Sequence, residues 1–237
     1  MTPPDVPTCP PPSPWLRGII VGLALVAWFW TQSLIGRKAT LSAPEEQEKA
    51  SEYLSRHDQI LVALEPVHRW LHERPAQADT LLIVSSAVID VLGLFLLLRG
   101  ILGPTFRPVL GLILVFALRQ LIQGLCALPP PPGGIWRHPG FPSLLVTYDV
   151  ANDLFFSGHT ALAVYGAIEL GRWGGRGATV AGLFFVCLET AAVLALRAHY
   201  TLDVYGGAIT AIAMALLADR LAPACDRALT GLWAAKG

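Results

Sequence analysis

Two histidine motifs lie forty residues apart in the chain, Ser157-Gly158-His159-Thr160 and His199-Tyr200-Thr201-Leu202-Asp203. An imidazole can attack phosphorus to form a covalent phosphohistidine, and a second imidazole can carry the proton that the departing oxygen needs. Asp203 follows His199 by four residues. On a helix that spacing puts both side chains on one face, so the carboxylate can hold one ring nitrogen and leave the other free as nucleophile. Ser157 reads as the N-cap of a helix whose first amides, from Gly158 onward, aim at an incoming phosphate. His159, just inside that helix, is then the acid for the leaving group, and Tyr200 beside His199 counts as a substrate contact. This chemistry requires no metal and no other cofactor.

The elements that must position these groups are membrane spans. The chain is 54% hydrophobic and 14% charged, with mean hydropathy +0.53, against about 25% charged residues in soluble domains. Six apolar blocks run from about Trp15 to Ile35, Asp79 to Leu98, Phe106 to Leu128, Phe156 to Leu170, Ala178 to Leu196 and Asp203 to Leu221. Each is close to the roughly 20 residues that cross a bilayer. The expected fold is all-α, a polytopic six-transmembrane-helix bundle. Its parts are a disordered proline-rich tail (1–14), a first span (15–35), an amphipathic interfacial segment (36–78), a five-helix catalytic core (79–221) and a cytoplasmic tail (222–237). The first block is too long for a signal peptide and carries a Trp28-Phe29-Trp30 belt.

Six alternating spans put Arg17, Arg99, Arg107, Arg172, Arg176, Arg220, Arg227 and Lys236 on one face, which the positive-inside rule makes cytoplasmic. Both termini belong there, and His159 and His199 open on the non-cytoplasmic side. The net charge of zero and the lack of a basic run exclude a nucleic-acid partner. Cys9, Cys126, Cys187 and Cys225 are scattered and read as packing residues. His57, His68, His72 and His138 read as interfacial side chains.

Ionisable residues inside spans imply a partner or a function. Arg119, toward the outer end of the third span, either reaches a phosphodiester or forms a buried pair with Asp90 or Glu189. Asp90, Ser157 and Gly158 also count as candidate substrate contacts, and the acids near the mouth, Asp149, Asp153 and Glu189, could equally face a cationic headgroup. Between Pro44 and Arg74, Tyr53, Leu54, Leu61, Leu64, Trp70 and Leu71 recur near helical spacing among acidic residues. Pro66 should kink any helix there. This stretch is either an interfacial amphipathic segment or a lid over the histidines. The run Pro129-Pro130-Pro131-Pro132-Gly133-Gly134 ends the third span and forces an extended path into the His159 helix.

Asp153-Leu154-Phe155-Phe156-Ser157-Gly158-His159-Thr160 and His199-Tyr200-Thr201-Leu202-Asp203-Val204 together resemble the catalytic motifs of the sphingomyelin synthase family and the related phosphatidylcholine:diacylglycerol cholinephosphotransferases. Arg119, with Leu128-Pro129 after it, resembles the third-span motif of the same group. The resemblance covers Arg119 to Gly207 and implies membership of the type 2 phosphatidic acid phosphatase superfamily. It also implies His199 as nucleophile, Asp203 as its orienting acid, His159 as general acid and base, and Asp153 and Arg119 as headgroup or phosphate contacts. The superfamily's Lys-x6-Arg-Pro motif is absent before Ser157, and no Ser-Arg pair stands six or seven residues ahead of His199. That argues against a phosphomonoesterase and for a phosphodiester donor.

The expected activity moves phosphocholine or a similar phospho-headgroup from a phospholipid donor to a lipid hydroxyl, diacylglycerol or ceramide. If water replaces the acceptor, the site becomes a phospholipase C-like hydrolase. A non-catalytic lipid-binding or transport protein is the third reading, although no inverted pair of interrupted spans is evident. Headgroup, acceptor and oligomeric state stay open at this level.

Overall fold

The computed structural model of the protein describes residues 13–36, 44–125, 128–148 and 155–234, and the regular structure among them is helical throughout. In chain order the helices are α1 (Pro14–Gly36), α2 (Pro44–His57), α3 (Gln59–Ala63), α4 (Glu65–His72), α5 (Pro75–Leu102), α6 (Arg107–Leu125), α7 (Gly158–Ala195) and α8 (Thr201–Ala234). Five of them, α1, α5, α6, α7 and α8, are long and apolar enough to cross a membrane. Leu23, Val26, Leu121, Val180, Phe184, Ile212 and Leu216 are exposed on their outer faces. An apolar surface of that extent is stable against lipid rather than water. The protein is a multi-pass membrane protein.

α1, α5 and α6 follow the expected blocks to within a few residues at each end, but α7 joins two of them. Gly175 has φ 67° and ψ −148° inside it, a left-handed conformation that glycine adopts without the penalty a Cβ brings. A Cβ on Gly182 would lie 2.8 Å from the Cα of Ala167, whereas a straight helix would hold those positions about 22 Å apart. The helix therefore folds back on itself at Gly175 into two arms. The polar connection expected around Arg172 and Arg176 shrinks to one residue, because both arms stay helical up to the turn.

α8 also exceeds its expected end at Leu221 and continues through Pro223 to Ala234, where a separate tail was expected. Asp226 explains this. Its carboxylate accepts from the Phe106 amide at 2.8 Å and the Thr105 hydroxyl at 2.6 Å, and Leu229 and Thr230 beyond it are buried. The polar segment breaks at Asp58 and Leu64. Pro66 sits in the first turn of α4, where a missing N–H costs nothing, so it starts a helix instead of kinking one.

α8 packs along α7 and α6, α5 packs along the same two helices, and α1 lies against α5 and α6. One end of this bundle is tied by charge. Glu169 accepts from Arg107 at 2.9 Å and Arg172 at 2.7 Å, and Arg172 also reaches Asp219 at 2.6 Å. The buried Arg17 donates to the carbonyls of Gly103 at 2.6 Å and Gly100 at 3.2 Å and lies 3.5 Å from Asp226. Asp219 stands about 24 Å along α8 from Asp203 at the helical rise, so this network and the histidine motifs occupy opposite ends.

The expected tail up to residue 12, Asp149, Asp153, Cys9, Cys126 and Lys236 lie outside the described residues. Cys187 is exposed on the outer surface and is not a core packing residue, and Cys225 is half-buried.

Candidate active site

The starts of α7 and α8 meet side by side. The Ser157 amide donates to the Asp203 carbonyl at 3.0 Å. Gly207 permits this approach, since a Cβ there would sit 2.6 Å from the Ser157 carbonyl oxygen. Ser157 is the N-cap of α7, its hydroxyl accepting from the Thr160 amide at 3.3 Å and from the Thr160 hydroxyl at 3.2 Å. α6 delivers Arg119, whose Nε donates to the Phe156 carbonyl at 3.1 Å. The guanidinium passes over Gly158, where a Cβ would come within 3.1 Å of Nε. Arg119, Gly158, His159 and His199 consequently line one cavity of about 750 Å³.

His199 does not lie on a helix. It belongs to the turn between Ala195 and Thr201, and Asp203 is in the first turn of α8. The Asp203 Oδ2 accepts the Tyr200 amide at 2.9 Å, the reciprocal half of a capping arrangement, and lies 3.4 Å from His199 Nδ1. At that separation the contact is electrostatic, and among the described residues Nδ1 has no hydrogen-bond partner. The pair is thus close, as the spacing suggests, but a cap brings it together rather than a shared helix face.

His159 is buried, and its Nε2 has no hydrogen-bond partner among the described residues. Its ring meets Trp136 edge-on, with centroids 5.1 Å apart at 89°. A buried polar atom without a partner costs stability unless a ligand meets it. Trp136 is fixed by its own Nε1, which donates to the Thr147 carbonyl at 3.3 Å. The proline run forms one cavity wall, and Ile135 behind it donates its amide to the Leu196 carbonyl at 2.7 Å, next to the His199 turn.

Three expected substrate contacts lie elsewhere. Asp90 accepts from the Ser143 hydroxyl at 3.0 Å and from the amides of Leu144 at 2.8 Å and Leu145 at 2.9 Å. Its carboxylate is spent on anchoring the loop whose Leu145, Val146 and Thr147 wall the cavity. Glu189 is fully buried between α5 and the second arm of α7, accepting from Ser85 at 2.6 Å, and it does not line the cavity. Tyr200 points to α2, its hydroxyl donating to the Ser51 carbonyl at 3.4 Å, and burial beside Asp203 and Asp58 raises its phenol. Asp149 and Asp153 are outside the described residues.

Several contributors carry no motif signal. Trp28 of α1, Phe116 of α6 and Trp136 give the cavity an aromatic lining, and Gln47, Glu48 and Ser51 of α2 complete its rim. The segment expected as either an interfacial helix or a lid therefore covers the site. It is fastened there by an ion pair between Glu65 and Arg197, by His68 Nδ1 donating to the Ala195 carbonyl at 3.0 Å, and by Asp58 on Thr201. Burial pushes the His68 imidazole below the ordinary histidine range. Among the described residues no group of three or more His, Cys, Asp or Glu side chains could hold a metal ion.

No curated protein and no solved structure matches the chain. A family model described as AtPDCT1/2 matches residues 57–220, a stretch that begins just before Asp58 and includes both histidine motifs and Arg119. Of the two related groups that the motifs resemble, the match falls on the cholinephosphotransferases. With most of its length covered, including both arms of α7 and the start of α8, the chain belongs to the AtPDCT1/2 family of phosphatidylcholine:diacylglycerol cholinephosphotransferases.

Proposed function

We propose that the protein transfers phosphocholine from phosphatidylcholine to diacylglycerol through a phosphohistidine on His199. The observation that carries this reading is the convergence of His159, His199 and Arg119 on one aromatic-lined cavity. The family membership supports the same donor and acceptor.

In the first half-reaction the His199 nitrogen away from Asp203 attacks phosphorus. The bond from phosphorus to the diacylglycerol oxygen breaks, its electron pair stays on that oxygen, and His159 delivers a proton to it. Arg119 balances the phosphodiester charge, and Asp203 supports the positive charge that grows on the His199 ring. In the second half-reaction His159 takes the proton from an incoming diacylglycerol hydroxyl, whose oxygen attacks phosphorus and releases His199. A site of this kind belongs with the type 2 phosphatidic acid phosphatases.

The two arms of α7, one of 17 residues and one of 20 counted either side of Gly175, are each about 25–30 Å long. We read them as separate crossings, which gives six spans with both termini cytoplasmic and the histidine cavity on the opposite side. Glu169, Asp219 and Asp226 then neutralise much of the arginine on the cytoplasmic face.

The test is purified protein with choline-labelled phosphatidylcholine, with and without diacylglycerol or ceramide. Label in phosphatidylcholine that carries the acyl chains of an added diacylglycerol, chosen to differ from those of the donor, supports the proposal. Free phosphocholine would make the protein a hydrolase, label in sphingomyelin would move the acceptor to ceramide, and saturable lipid binding without turnover would overturn the catalytic reading.

A further inference from the structure

Asp58 lies 143 residues from the helix start it contacts, outside every expected site. Its Oδ2 accepts the Thr201 amide at 2.7 Å and its Oδ1 accepts the Thr201 hydroxyl at 2.6 Å. The same Oδ1 accepts the amides of Ile60 and Leu61, each at 3.2 Å, so Asp58 is also the N-cap of α3. One carboxylate thus caps two helices, and charge-assisted bonds of this kind are about twice as strong as neutral ones.

The consequence falls on His199. The two amides that follow it are both held by carboxylates, Tyr200 by Asp203 at 2.9 Å and Thr201 by Asp58. On its other side Ala198 donates to the Val193 carbonyl at 2.9 Å, and Arg197, at φ 53°, donates to the Pro132 carbonyl at 3.2 Å. Among the described residues, the ring's Nδ1 has no hydrogen bond to orient it and meets Asp203 at 3.4 Å. Its direction is therefore set mainly by its backbone, and Asp58 holds that backbone from outside α8.

We infer that Asp58 is a positioning residue for the nucleophile, and that α2 to α4 form a fixed part of the catalytic scaffold rather than a lid that must open. The inference rests on the phosphohistidine reading of His199. Misplacing a reacting group by about 1 Å can cost a hundredfold in rate, so Asp58→Ala should lower kcat about tenfold to a hundredfold while the KM for phosphatidylcholine stays within about twofold.

Thr201→Val, which removes the hydroxyl bond and keeps the amide, should show a smaller loss, and the double variant should be no worse than Asp58→Ala alone. Thr201→Ser should retain wild-type kcat. All rates are taken per folded molecule, with the folded fraction measured by monodisperse elution in detergent, so that a purely structural role shows as lost yield at unchanged kcat. The rate of phosphoenzyme formation in a single turnover should fall with kcat. Wild-type kcat in folded Asp58→Ala, a rise in KM alone, or additive losses in the double variant would each overturn the assignment. If Asp58→Ala fails to fold, the Thr201 pair decides, since equal kcat for Thr201→Val and Thr201→Ser overturns it. A wild-type protein with no turnover would instead sink the reading of His199.

Discussion

At the end of the bundle away from the histidines, the charges around buried Glu169 and Arg17 meet each other. Arg107 and Arg172 share Glu169, Arg172 also holds Asp219, and Arg17 joins two carbonyls and Asp226. At the histidine end the two imidazoles face a cavity of about 750 Å³. Arg17 Nε and Arg107 Nε lack hydrogen-bond partners among the described residues just as His159 Nε2 and His199 Nδ1 do, but it is His159 and His199 that line a space a ligand could fill. The same helices, α6, the first arm of α7 and α8, contribute to both ends. An ion-paired network fixes helix against helix, because removing one partner strands a charge in a medium that cannot solvate it. An open cluster spends stability on groups that a substrate can meet. On the proposed function, the two ends separate what holds this protein from what it works with.

Substitutions at the two ends should therefore fail differently. The largest effect belongs to His199→Ala, which should reduce headgroup transfer by ~10³-fold or more in the labelled-lipid assay and leave elution and helix content unchanged. His159→Asn comes next, with a loss of about 10²- to 10⁴-fold in the same assay. At the other end Glu169→Gln should lower unfolding stability by about 2–3 kcal/mol, read as a lower midpoint in a thermal aggregation assay, with kcat per folded molecule at the wild-type level. Activity loss without destabilisation in that variant would break the division between the ends.

Smaller effects sharpen it. Trp136→Leu removes the edge-on ring beside His159 and should slow transfer about three- to tenfold, with Trp136→Phe recovering most of the loss. The smallest effect concerns pH. His68 is held neutral by burial, below its unfolded value of about 6.5. Its contribution to stability is present above that value and is lost as pH falls below it, because the unfolded chain then binds the proton more readily. Melting midpoints between pH 7.5 and 5.5 should fall less steeply in His68→Gln than in the wild type, and parallel slopes would remove His68 from the account.

Much of this architecture is legible in the sequence because lipid leaves few options. The apolar blocks mark the helices, and Ser157 ahead of Gly158-His159-Thr160 marks the start of α7. The hairpin in α7 is harder to read, since a single glycine does what a loop usually does and the arginines around it look like a connection. Asp90 shows a second limit. A carboxylate in a span signals a partner, but the partner is the backbone of a loop fifty residues on, which no periodicity encodes. Asp58 and the Glu169 network are missed for the same reason, being contacts between elements that the sequence places far apart.

The pairing of Arg17 with Asp226 bears on how the molecule is made. Arg17 lies on α1, and its acidic partner is translated only with α8. Among the described residues, the carbonyls of Gly100 and Gly103 are what meets that cation before α8 arrives. A chain cut short before residue 226 would keep the packing of α1 on α5 and α6 but leave Arg17 without the carboxylate that balances its charge.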